Sequence, residues 1–292
     1  MTPATATVFD DHPCLLGEGA LWHPRRNCLF WFDIMGNRLL MRGAGQAQTT
    51  QGWSFDCHVS AAGWVDDTTL LIASETDLMR FDIETGATVP MVGLEGDTPT
   101  TRSNDGRADP WGGFWIGTMG KQAARGAGAL YRYYQGAVRR LRGNITIPNA
   151  ICFAPDGQVA YVADTAEHIV WRVALDPQGW PVGDWHVWLD HRQNGRNPDG
   201  AVVDAQGRFW CAEWGAARVA CYAPGGALVH TIPLPVPQPT CPAFGGADLT
   251  TLYITTARQG LTVADMQATP LSGQTFQIAT QTQGQAEHRV IL

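Results

Sequence analysis

Long apolar runs are missing from this sequence: nowhere in its 292 residues do 18 apolar residues follow one another. That leaves no candidate for a membrane-spanning helix. The N-terminal stretch Met1-Thr2-Pro3-Ala4-Thr5 has neither a basic n-region nor an apolar h-region, so export by a classical signal is not expected. Basic clusters are equally scarce. Arg139-Arg140 and Arg142 form the densest stretch, which a solvated outer strand explains, and the net charge is −7. A nucleic-acid partner is not expected on that charge balance. The seven cysteines are odd in number and include no C-x-x-C pair or metal-type spacing. Several sit within apolar strand runs as small hydrophobes, and a reducing cytoplasm is the simplest setting. Helix signals are the last absence. Thirty-three Gly and eighteen Pro interrupt the chain too often for a 3.6-residue period to persist.

What is present is a repeat. Six times a turn rich in Gly, Pro and Asp leads into an aromatic or aliphatic strand and then a small polar residue. The strands centre on Phe30, Leu71, Trp115, Tyr161, Trp210 and Tyr253, at spacings of 41, 44, 46, 49 and 43 residues. Short strands repeating every 40–50 residues or so are the signature of a β-propeller. The expectation is an all-β, six-bladed propeller with four antiparallel strands per blade, formed by residues 1–292 as one domain. The segment Ala4–Val8 should close the ring by pairing into the last blade, which removes exposed edges. The stretches Asn144–Pro148 and Pro233–Pro242 read as loops between blades, and Asp176-Pro177-Gln178-Gly179 as a turn within one. The twelve Trp mostly occupy strand positions, where packing between blades consumes large flat side chains.

In a propeller the first strand of every blade lines the central channel, so residues at the same place in each repeat meet there. Glu18 and Asn149 lie twelve residues before their anchors; Asn104 and Asp199 lie eleven before theirs. The equivalent stretches of the other two repeats, near His58–Ser60 and Cys241–Pro242, carry no carboxylate. Four oxygen-bearing side chains should therefore converge at one mouth of the channel. Glu18, Asn149 and Asp199 make a hard, oxygen-only set suited to Ca²⁺, Mg²⁺, Mn²⁺ or Fe²⁺, with Zn²⁺ also compatible.

Each of these residues has an ordinary reading as well. Pro198-Asp199-Gly200 has the chemistry of a plain turn. The chain holds its own control, because Pro155-Asp156-Gly157 is the same tripeptide five residues before its anchor, where a turn belongs. Asp156 is read as a turn residue and Asp199, a full strand earlier, as functional. Glu18 between two glycines could be an exposed carboxylate, and Asn149 after Pro148 could form an Asx turn; their shared repeat position favours the channel. Arg102 could pair with Glu95 or Asp97 at the surface, or be a fork-shaped donor aimed at substrate oxygens. His58 is read as structural.

At these residues the chain resembles the SMP-30/gluconolactonase/luciferin-regenerating family. The segments 16–22 (LGEGALW), 102–119 (RSNDGRADPWGGFWIGTM), 147–157 (IPNAICFAPDG), 197–200 (NPDG) and 245–261 (GGADLTTLYITTARQGL) are similar to its motifs in order, from about residue 14 to 262. The resemblance implies a six-bladed propeller that hydrolyses sugar lactones with one divalent metal ion. It also implies metal ligands at Glu18, Asn149 and Asp199 and substrate contacts at Arg102 and Asn104. Some members carry an acidic residue shortly after the Gly-Thr-Met, where this chain has Gly120-Lys121-Gln122. Gln122 can still exchange hydrogen bonds with a sugar hydroxyl, but a carboxylate contact is lost and substrate preference does not transfer. Physically, Asp199 is placed to act as general base on the attacking water.

Two other functions fit the same architecture, since fold alone does not decide chemistry. One is a metal-dependent phosphotriesterase or arylesterase, which would favour an apolar cleft. The other is a non-catalytic calcium-binding propeller. The expected partner is a small sugar lactone, with no nucleic acid or membrane, for a cytoplasmic monomer or weak oligomer.

Overall fold

Twenty-four strands form six four-stranded antiparallel sheets in the computed structural model of the chain, which describes residues 5–45 and 49–292. The inner strands are Gly17–His23, Val59–Trp64, Thr101–Ala108, Pro148–Phe153, Asn197–Val203 and Pro239–Gly245. Each lies against the inner strand of the next blade, and the sixth against the first, so the ring closes. The predicted anchors all fall in second strands.

The second strands are near-continuous apolar runs, Leu29-Phe30-Trp31-Phe32 and Leu70-Leu71-Ile72-Ala73 among them, so both faces of a blade are apolar and the core is a set of six layers between neighbouring blades. Phe30, Phe32, Leu70, Ile72 and Phe81 fill the layer between blades one and two. Trp115, Leu130, Ile151 and Val162 fill the one between three and four. Burying a large side chain in such a layer contributes roughly 1.5–3 kcal/mol, which offsets the ordering of short, Gly-rich strands. The seven cysteines are free and six are buried in these layers.

Ring closure uses Thr7–Asp10, which pairs with Thr275–Ala279 as the outermost strand of blade six. The expected Ala4–Val8 was placed too early, and Ala4 lies outside the described residues. Phe9 and Asp10 explain the shift. Phe9 packs edge-on against Tyr253 at 4.7 Å. Asp10, fully buried, takes hydrogen bonds from Arg42 at 3.1 Å and from His12. The two loops predicted between blades are also shorter than expected. Asn144 ends in the strand Ala137–Ile145, Pro148 opens an inner strand, and Pro233 and Pro239 both belong to strands. One six-residue helix, Val263–Ala268, carries a capping box from Thr262 and Asp265.

The inner strands all run from one end of the channel to the other. At their far ends the C-terminal segment crosses the ring: Gln285 donates to the carbonyls of Phe153 and Val203, and Arg107 pairs with Glu287. The near end stays open.

Candidate metal and substrate site

Backbone register shows why four functional candidates share one height. The anchors pair with Leu21, Gly63, Arg107, Cys152, Val202 and Ala243 on the inner strands. Three residues earlier stand Glu18, Ser60, Asn104, Asn149, Asp199 and Thr240, a ring of six oxygen-bearing side chains. The offset of twelve or eleven therefore arises on the second strand and its turn, not at the mouth. All six ladders also break register at this place. A bulge at the rim re-aims side chains, here into the channel. In blade six the equivalent residue is Thr240, one position before the expected Cys241–Pro242.

Glycines let these bulges nest. Gly19 has φ 58°, and a Cβ there would lie 2.4 Å from the Ser60 carbonyl oxygen; at Gly200 it would lie 2.8 Å from the Cys241 backbone. Neither position accepts a side chain without moving an inner strand.

The six positions then divide by what their oxygens already do. Ser60 donates to the Ser103 hydroxyl at 2.7 Å, and Thr240 donates to the Gly17 carbonyl; both are fully buried and tie neighbouring blades together. Glu18, Asn104, Asn149 and Asp199 instead line a cavity of about 560 Å³ at the open end, together with Arg102 and Gln122. All six residues predicted for the site are thus brought to one cavity.

Their hydrogen bonds refine the roles. Nη1 of Arg102 donates to the Ser103 carbonyl and to Oδ1 of Asn104, both at 2.8 Å, so Arg102 does not form the surface pair with Glu95 or Asp97. Nδ2 of Asn104 donates to Oδ1 of Asn149 at 3.1 Å and to the Pro148 carbonyl at 3.0 Å. Much of the Asn104 amide is therefore engaged in the framework. Asp156 is exposed and accepts from the Gln158 backbone at 2.9 Å, as a turn residue should. His58 lies against Asn37 and the Ile34 carbonyl, away from the cavity.

A third carboxylate, Asp105, was not singled out by repeat position. It sits just below the ring, buried, and accepts from the Ile151 backbone at 2.8 Å. Burial and then the Asp105 charge push the Glu18 carboxyl up to about 8. Burial, then Glu18 and Asp105, raise Asp199 as well. Arg102 is lowered to about 10 by its own burial. Three buried carboxylates repel one another in their ionised forms, and the desolvated Arg102 guanidinium offsets only part of this, so either a proton or a cation must join them. The donor set fits a hard divalent ion. A second acidic group, Asp10, Asp11 and His12, lies elsewhere, with Asp10 already paired to Arg42.

Residues that do line the cavity also escaped the sequence reading. Lys121 is the chain's single lysine and pairs with Glu75 at 3.2 Å. Gln238, Trp214 and Thr165 face the cavity from blades six, five and four. None shares the ring position, so repeat counting had no means to find them.

Comparison with known proteins identifies the family. The chain matches the SMP-30/Gluconolactonase/LRE-like region over residues 16–258. It is 33% identical to L-arabinolactonase of Azospirillum brasilense, covering 97% of this chain and 95% of that one. It is 32% identical to 6-deoxy-6-sulfogluconolactonase of Pseudomonas putida, covering 94% of each. A crystal structure described as a calcium-binding protein, regucalcin, from Agrobacterium tumefaciens superposes with a TM-score of 0.96 at 37% identity, covering 99% of this chain and 98% of that one. With a family model matched over residues 16–258 and relatives above 30% identity over nearly its whole length, the chain belongs to the SMP-30/gluconolactonase/LRE-like family.

Proposed function

We propose that this protein is a metal-dependent hydrolase that opens sugar lactones, glucono- or pentonolactones among them, to the aldonic acid. The observation that carries the reading is the convergence of Glu18, Asn149 and Asp199 at one open channel mouth beside Arg102, in a chain related to lactonases. Glu18, Asn149 and Asp199 would hold one divalent ion, Ca²⁺, Mg²⁺, Mn²⁺, Fe²⁺ or Zn²⁺. Bound there, such an ion supplies Lewis-acid polarisation of the lactone carbonyl and stabilises the charge that develops on its oxygen.

The chain's own groups do the rest. Asp199 takes the proton from the attacking water, and burial keeps its basicity high. Arg102 has one nitrogen tied to Asn104 and Ser103, which fixes its plane and leaves the rest of the fork for substrate hydroxyls. Gln122 meets the substrate from the rim, and Asn104 holds Arg102 and Asn149 in register while lining the same wall. These contacts orient the lactone rather than break bonds. We place the protein in the cytoplasm as one domain, a reading supported by its seven free cysteines and unbroken ring of blades.

A phosphotriesterase or arylesterase site would need a mostly apolar cleft. Met35, Met119, Ile147 and Trp214 supply apolar wall here, but Glu18, Asn149, Asp199, Arg102, Asn104 and Gln122 place six polar side chains in the same cavity, which favours a polyol. Turnover of gluconolactone, pentonolactones and paraoxon separates the readings: the lactones should be hydrolysed and paraoxon left essentially intact, and the reverse order would reject the proposal. With the preferred lactone, Arg102→Ala should raise KM at least as much as it lowers kcat, because it removes binding already expressed in the ground state. A fall in kcat alone would instead place Arg102 at the transition state.

A further inference from the structure

Thr165 stands outside the ring of six, in the 3-10 turn Thr165–Glu167 that follows the second strand of blade four. The turn is held firmly. The Asp164 carboxylate accepts from the backbone of Thr146 at 2.8 Å, Ile147 at 3.0 Å and Ala166 at 3.2 Å, and the Thr165 amide donates to the Ile147 carbonyl at 3.0 Å. The Thr165 hydroxyl is thereby delivered between two segments of the proposed metal site. Its Oγ1 lies 2.6 Å from the Pro198 carbonyl oxygen and 2.8 Å from Nδ2 of Asn149.

Proton counting then fixes an orientation. A hydroxyl has one hydrogen, and the Pro198 carbonyl can only accept, so that hydrogen goes to Pro198. What Thr165 offers Asn149 is a lone pair, which only an N–H can use. Asn149 must turn its NH₂ toward Thr165 and its oxygen toward Asn104 and the cavity. The rotated amide would set its oxygen against the lone pair of Thr165 and its NH₂ against the NH₂ of Asn104.

From this, and resting on the metal site proposed above, we infer that Thr165 is a positioning residue that holds the Asn149 amide with its oxygen presented to the cation. The same hydroxyl anchors the carbonyl immediately before Asp199, so one side chain sets two ligand-bearing strands, in blades four and five, relative to each other. Partners of this kind, one bond removed from a metal, typically contribute about 10–100-fold in affinity.

The test is calorimetric titration of Mn²⁺ and of Ca²⁺ into metal-stripped parent, Thr165→Val and Thr165→Ser, with a thermal melt of each stripped protein. Thr165→Val, which keeps shape and loses the hydroxyl, should weaken ion binding about 10–100-fold. Thr165→Ser, which keeps the hydroxyl, should stay within about threefold of the parent on the same scale. Should Thr165→Val melt before it can be titrated, Thr165→Ser against Thr165→Ala poses the same question with one hydroxyl. Parental affinity in the Val variant, or equal weakening in Val and Ser, overturns the role of Thr165 alone. A parent that binds neither of these ions, nor Mg²⁺, Fe²⁺ or Zn²⁺ titrated in the same way, overturns the metal site itself.

Discussion

Asp199→Asn is expected to keep a substantial share of its metal and to hydrolyse an aldonolactone at least about a hundredfold more slowly than the parent. Asparagine retains an oxygen ligand at nearly the same volume, and the site around it is rigid: Gly200 is packed against Cys241, and the Pro198 carbonyl is tied to Thr165. What the substitution removes is a base, and a positioned general base typically contributes about 10²–10⁴-fold. Lactones open spontaneously in water, so both rates must be taken above that background. Turnover near the parental rate in the metal-loaded variant would make Asp199 a ligand only.

The second large effect is on binding. Glu18→Gln removes a formal charge facing a divalent cation, in a buried setting where water screens little. Affinity should fall by more than the roughly 10–100-fold typical of groups one bond further out. Asp156→Asn, an exposed turn residue of identical local sequence to Asp199, should leave affinity unchanged. Equal effects in isothermal titration would refute the repeat-position reasoning. The metal-free proteins should differ in the opposite sense. The folded-state value for Glu18 is raised from 4.5 to about 8, so its stabilising contribution is complete below about 4.5 and lost as pH rises through about 8. Stripped Glu18→Gln, which cannot ionise, should therefore melt higher than the stripped parent at pH 8. A variant that melts lower there would show that the carboxylate is not strained in the empty ring.

A carboxylate whose ionised form burial and a neighbouring carboxylate disfavour is a candidate mark of function, and Glu18 was found through periodicity. Blade number, anchor strands and the height of Glu18, Asn104, Asn149 and Asp199 were legible because one structural unit recurs six times, and each copy checks the others. Errors crept in where copies differ in detail. Thr240 escapes the count by one residue because it stands thirteen residues before its anchor Tyr253, where the other blades have eleven or twelve. The ring-closing strand was set too early because its buried residues, Phe9 and Asp10, are specified by partners in distant blades, Tyr253 and Arg42. Thr165 and Asp105 belong to the site through tertiary placement alone. One comes from a turn between strands and the other points below the ring, and neither has counterparts by which a repeat would reveal it.

The most direct test of lactone hydrolysis at a metal site in the channel mouth is a panel of aldonolactones assayed against chelator-stripped protein, with Ca²⁺, Mg²⁺, Mn²⁺, Fe²⁺ and Zn²⁺ restored one at a time. The expected result is hydrolysis no faster than spontaneous opening in the stripped protein, and saturable turnover of at least one lactone once one of these ions is returned. Undiminished turnover after verified removal of metal, or none with any ion and any lactone, would contradict it.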